Sequence, residues 1–337
     1  MIKKIVSTSL LLSVIASASL LDDAKKAGLK PIPTDKNELL KLIDNPNNKL
    51  NDAKIELGKD LYFEPRLSKS NLISCNTCHN LATGGVDGVS AAIGHKWTAN
   101  PHHLNSPTVY NAVFMSRQFW NGRSPDLEDQ AQGPMQAAPE MAISKEMAVK
   151  RISSMPEYKE MFKKAFGNDE ISFKKIADAI GVFERTLVTP SRFDEFLNGK
   201  KDALTTEEKK GLKVFIDRGC AACHTGIGIG GSMQKFPLVK PYKYANVGDF
   251  KGDKNGMVKT PTLRNVLQTA PYFHNGAVWD IKEAVKIMGE TQLGVELSNE
   301  DVDAIVTFFK ALDGKMPNIT YPHLPAVTAS TPKPEAN

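Results

Sequence analysis

The sequence predicts a mainly α-helical protein made of two like-built domains, with long loops and little sheet. Three observations predict it. The string Cys-x-x-Cys-His occurs twice, at Cys75–His79 and Cys220–His224, with starts 145 residues apart. Each copy follows a segment whose apolar residues recur at helical steps, 53–63 before the first and 206–216 before the second. Each is followed by a glycine-rich loop, 83–94 and 225–231.

The elements follow in order. Lys3 and Lys4, the apolar run Ile5 to Ile15 and the small residues Ala16-Ser17-Ala18 have the layout of a secretory signal over 1–18. The run is short for a bilayer span, although an uncleaved anchor helix is the competing reading. Residues 19–40 form an N-terminal extension and 41–190 a first domain. In that domain Phe173, Ile176, Ile180, Phe183 and Leu187 make one apolar stripe, read as core. Thr189-Pro190-Ser191 breaks this helix and marks the domain junction. The second domain, 191–324, opens on Thr205 and Glu208 at capping-box spacing. Near its end Ser298 and Asp301 start a helix striped by Val302, Ile305, Phe309 and Leu312, which Gly314 and Pro317 stop. Residues 325–337, rich in Pro, Ala, Thr and Ser, are expected to be disordered.

Composition narrows the function. Of 337 residues four are cysteines, all inside the two strings, so none is left for a separate disulfide. Losing Lys3 and Lys4 with the signal lowers the formal net charge from +5 to +3, and no Lys/Arg block argues for nucleic acid as a principal partner. No later segment is apolar enough for a membrane span after signal cleavage. Two thiols one helical turn apart reach the two vinyl groups of one haem, and the adjacent imidazole reaches its iron. Cys75, Cys78 and His79, then Cys220, Cys223 and His224, are therefore read as two covalent haem c sites in two cytochrome c-like domains. A redox dithiol needs neither the histidine nor the repeat. A zinc ribbon would use two close Cys-x-x-Cys pairs. Export to the periplasm suits both signal and motif.

The second axial ligands decide what each iron can do. For the first haem His95, on the glycine-flanked loop 93–97, is the nearest candidate, with His102 and His103 as rivals. For the second, Met288 precedes Gly289 at the end of an amphipathic segment, where a methionine is also ordinary core filler.

Beyond the haem strings, ordered blocks cover nearly all of the mature chain: 105–114 (NSPTVYNAVF), 118–123 (QFWNGR), 127–131, 133–137, Glu140-Met141, 260–265 (TPTLRN), 271–276 (PYFHNG) and Met288. In these the chain resembles the bacterial di-haem cytochrome c peroxidases. The resemblance implies that the His79 haem is the low-potential, peroxidatic one, with His95 as sixth ligand in the resting oxidised form. It implies a high-potential, electron-receiving haem on His224 with Met288 as distal ligand, and Trp120 between the two. Gln130 and Glu140 would be the polar pair over the peroxide, Glu140 as acid/base and Gln130 as a positioning group. A calcium ion between the domains would take the Asn105 side chain and the backbone oxygens of Thr269 and Pro271, hard ligands of the kind calcium prefers. Two departures stand out: Asn121 where the family commonly has Asp, and Pro101-His102-His103, a short insertion after the His95 loop.

The implied reaction is reduction of hydrogen peroxide to two waters, with electrons from a small mono-haem cytochrome c or a copper protein, and the implied assembly is a homodimer. A plain di-haem electron carrier would leave Gln130, Glu140 and Trp120 without a joint purpose. Relatives resembling MauG place a tyrosine where this chain has Met288.

Overall fold

The protein is described by a computed structural model over residues 19–335, so the signal expected at 1–18 lies outside the described residues. The first half carries α1 (residues 19–26), α2 (Lys36–Ile43), α3 (Asp52–Tyr62), α4 (Cys75–Cys78), α5 (Leu127–Gln136), α6 (Lys145–Ser153), α7 (Pro156–Phe166) and α8 (Phe173–Arg185). The second half carries α9 (Arg192–Leu197), α10 (Thr206–Asp217), α11 (Ile281–Met288) and α12 (Asn299–Phe309). Sheet among the described residues is one antiparallel pair, β1 (Met233–Lys235) with β2 (Met257–Lys259), Met233 facing Lys259. The mainly helical fold with little sheet is as the sequence predicts.

The two halves are closed by the same device. The helix before each haem string crosses the last helix of its half, and a glycine sits at the crossing. A Cβ on Gly58 of α3 would lie 1.9 Å from the carbonyl oxygen of Ala179 and 2.9 Å from Phe183. A Cβ on Gly211 of α10 would lie 2.0 Å from the carbonyl oxygen of Ala304 and 2.8 Å from Phe308. Around the first crossing pack Leu57, Leu61, Phe162, Ile176, Ile180 and Phe183; around the second, Leu212, Phe215, Val302, Ile305 and Phe308. Each such side chain contributes roughly 1.5–3 kcal/mol on burial, well above any difference in helix propensity. Caps fix the helix starts. The Ser172 hydroxyl accepts from the Lys175 N–H at 3.2 Å, and Thr205 and Glu208 form the reciprocal capping box.

The halves meet at Thr189, inside the break the sequence places there. Its hydroxyl accepts from the side-chain amides of Asn111, at 2.7 Å, and Asn265, at 2.8 Å. Both asparagines take left-handed backbone, φ 63° and 58°, and their N–H groups bond the carbonyls of Leu187 and Leu312, each at the end of its half. The repeat thus has a physical centre of quasi-symmetry.

The chain ends depart from expectation. The disorder expected over 325–337 does not describe 325–335. Arg66 donates to the Pro325 carbonyl, Arg151 to that of Lys333, and the Glu335 N–H donates to Lys69. The segment serves as a hydrogen-bonded strap on the first domain, held by the buried Arg66 and Arg151. The extension 19–40 also joins the other half: Leu20, Leu21, Ala24 and Leu29 enter the second domain's core.

Candidate functional site

Each haem string builds a short helical turn that presents its histidine. Cys75–Cys78 is one turn, capped by Ser74 and Thr77, and the His79 N–H returns to the Cys75 carbonyl at 2.9 Å. The His79 Nδ1–H donates to the Pro107 carbonyl at 2.9 Å, which leaves Nε2 as the free lone pair. His224 repeats this more weakly, Nδ1–H to the Ile229 carbonyl at 3.3 Å. Burial pushes both imidazoles down, His224 to about 4, so both are neutral at neutral pH, as a metal ligand must be. Burial also pushes the thiols up, Cys78 to about 12 and Cys220 to about 11. A redox-active pair needs a lowered thiol pKa, so this environment opposes the redox-dithiol reading.

His224, Cys220, Cys223 and Met288 line one cavity, largely apolar, that runs on to Trp120 and His274 between the domains. Met288 ends α11, and the backbone continues from it into a π-turn, Gly289–Leu293. Such turns recur at functional sites. Asp280 caps the helix and fixes its start. Paired thiols, a neutral imidazole, a thioether and apolar walls fit haem c.

Trp120 is buried; its Nε1–H donates to the Asn105 carbonyl at 2.9 Å, and its ring meets that of His274 edge-on, centroids 6.4 Å apart. Asn105 in turn takes the His274 carbonyl at 2.9 Å through its N–H. The Asn105 side-chain N–H donates to the Val89 carbonyl. No donor among the described residues reaches its Oδ1, or the carbonyls of Thr269 and Pro271, and all three residues line the same cavity. Among the described residues no cluster of three His, Cys, Asp or Glu exists, so a cation here would depend on such neutral oxygens.

His95 does not line that cavity. It is buried on its own loop, where its N–H donates to the Glu140 carbonyl at 2.7 Å and its Nδ1 finds no partner among the described residues. The loop and the Glu140 segment touch so closely that a Cβ on Gly94 would lie 2.1 Å from the Pro139 carbonyl. Lys96 and Trp97 follow with φ of 61° and 56°, an unfavourable conformation for both. His102 and His103 turn to the second domain, to Asp249 at 3.0 Å and to the Asn275 carbonyl at 3.1 Å. Burial raises the Glu140 carboxyl, against the pull of the Arg123 guanidinium, which lies 3.3 Å over the Phe119 ring. Gln130 is half-buried on α5 and makes no side-chain hydrogen bond among the described residues.

His274 and Lys259 are absent from the sequence reading of this site. The signal for His274 is a second repeat: Phe119-Trp120-Asn121-Gly122 and Phe273-His274-Asn275-Gly276 share a left-handed phenylalanine, φ 65° and 69°, and matching bridges. Lys259 has no motif; only the fold brings it in.

A helical two-domain chain with a covalent haem string in each half and unequal surroundings defines a di-haem c-type cytochrome. A family model described as di-haem cytochrome c peroxidase matches residues 52–202, and one for cytochrome c matches 208–313. A cytochrome c551 peroxidase of Pseudomonas aeruginosa is 46% identical, covering 97% of this chain and 96% of that protein. Its counterpart in Nitrosomonas europaea is also 46% identical, over 82% and 85%. A crystal structure of a MauG-like protein associated with microbial copper homeostasis superposes with a TM-score of 0.71 at 26% identity, covering 81% of this chain and 93% of that one. The chain belongs to the di-haem cytochrome c peroxidase family, and its cofactor is haem c.

Proposed function

We propose that this protein reduces hydrogen peroxide to two waters, using two electrons and two protons, in the periplasm. A small mono-haem cytochrome c or a copper protein would supply the electrons. The observation that carries the reading is the inequality of the two halves. One offers His224 and Met288 on an apolar cavity, suited to electron transfer; the other offers His95, Glu140 and Arg123 around a polar site. Bound haem would supply the iron chemistry of O–O cleavage at His79 and of electron transfer at His224.

The residues do the rest. Glu140 takes the proton from one peroxide oxygen and returns it to the leaving one, a role helped by burial that lifts its carboxyl toward working pH. Gln130 does not titrate and holds peroxide and water in place. Trp120, anchored by Asn105 and set against His274, lies on the route between the halves. His95 would be the residue that holds the first haem's iron at rest and gives it up to peroxide, and its loop carries the backbone strain at Lys96 and Trp97. A calcium ion on Asn105, Thr269 and Pro271 would steady the junction, and the active form is a homodimer.

The test is E140Q. Turnover by the half-reduced protein should fall by on the order of 10²–10⁴, with haem absorbance unchanged. Near wild-type turnover would remove Glu140 from the acid/base role.

A further inference from the structure

Lys259 ends β2 at the meeting point of the two halves, and its N–H holds the Trp120 carbonyl at 2.8 Å. The side chain lines the cavity that holds His224 and Met288, and the residue is 6% exposed. Among the described residues lining that cavity it is the one formally charged side chain; no aspartate or glutamate lines it. Among them, too, no carboxylate pairs with it.

An isolated ammonium in such a place is costly. Desolvating one ion costs several kcal/mol unless a counter-charge restores it. Among the described residues the other buried cations have their anions or carbonyls: Arg264 has Asp194, Arg66 has Glu64, Arg185 has Glu128, and Arg151 has four backbone carbonyls. Burial pushes the Lys259 ammonium down to about 8, which leaves it charged at neutral pH. The missing anion must therefore come from what fills the cavity. Haem c brings two carboxylates, its propionates, and this cavity is the one its second attachment string lines.

We propose that Lys259 is the counter-ion of a propionate of the second haem and sets that haem's potential beside the Trp120 contact. The pair is a charge-assisted hydrogen bond in a low-dielectric site, where it is strong. It also ties the second haem to the backbone of Trp120, the residue between the halves. The inference rests on the haem string 220–224 and not on peroxide turnover.

The test is potentiometric titration of the holoprotein without peroxide, in wild type, K259Q and K259R, with covalent haem content read from absorbance. K259Q leaves the propionate uncompensated and disfavours the reduced haem. The one-electron equilibrium of the second haem should fall by about tenfold, which is about 59 mV, while K259R stays near wild type. An unchanged K259Q potential, or a shift confined to the first haem, would overturn the assignment. If K259Q does not accumulate, resonance Raman of the wild type decides. Propionate bending bands that move on transfer to heavy water support an exchangeable donor on the propionate, and bands that do not move overturn it.

Discussion

Arg123 pulls the Glu140 carboxyl down while burial pushes it up, and Asn121 decides how much of that pull survives. The Asn121 Oδ1 accepts from the Arg123 guanidinium at 3.2 Å, a neutral contact that leaves the cation's charge acting on Glu140. An aspartate at this position, the family's commoner residue, would neutralise Arg123 and add a negative charge of its own. N121D should therefore raise the Glu140 pKa further. In the proposed role Glu140 must be ionised to accept the first peroxide proton, so the acid limb of the kcat/KM profile should move to higher pH in N121D. The profile of the reduced protein against pH checks this. A limb that moves down, or stays, would detach Arg123 from the acid/base group. The same logic explains why Glu140 was legible only through resemblance: nothing in Pro139-Glu140-Met141 announces its surroundings, because Gly94, packed against it, and Arg123, whose charge acts on it, come from elsewhere in the chain.

At the scale of elements, the two helix crossings turn a sequence repeat into a mechanical one. Gly58 and Gly211 were readable as part of helical segments, and helices α3, α8, α10 and α12 fall where periodicity puts them, because a stripe is a local signal. Their close approach was not readable, since the partner carbonyls of Ala179 and Ala304 lie more than ninety residues away along the chain. The consequence is testable. Gly→Ala inside a helix ordinarily gains about 0.5–1 kcal/mol. Here the new methyl would sit 1.9–2.0 Å from a backbone oxygen, which cannot swing aside. The helices must separate, and overpacking of this kind costs about 1–3 kcal/mol. G58A and G211A should both lower the denaturation midpoint, despite the better helix residue. A rise in either would mean that the crossing relaxes freely. Long loops were the least legible element. The placement of His102 and His103 against Asp249 and Asn275 depends on a domain contact that no local pattern announces.

At the scale of the molecule, the chain ends tie the halves together crosswise: α1 packs in the second domain's core, and the strap 325–335 lies on the first. Composition suggested disorder for the strap because it has almost no large apolar side chains, and that reasoning misses segments held by their backbone carbonyls. What the strap holds matters. Arg151 is fully buried and donates to the carbonyls of Ser68, Lys69 and Lys333, while the Lys69 N–H donates to Met141 at 2.8 Å. Glu140, next to Met141, holds the His95 N–H. A continuous chain of contacts therefore runs from the C-terminus through 66–71 to the loop that carries His95. Deleting residues 325–337 opens one side of Arg66 and Arg151 to water, which replaces the lost acceptors, so the net cost is that of ordinary hydrogen bonds, about 0.5–1.5 kcal/mol each. Global stability should fall little. Local order should fall more: amide exchange at 66–71 and at 137–143 should accelerate, while α10 and α12 keep their protection. Because the His95 loop leans on the second of those segments, the truncated oxidised protein should also show a larger high-spin fraction at the first haem. Unchanged exchange at 137–143 would show that the strap stabilises the first domain without reaching its site.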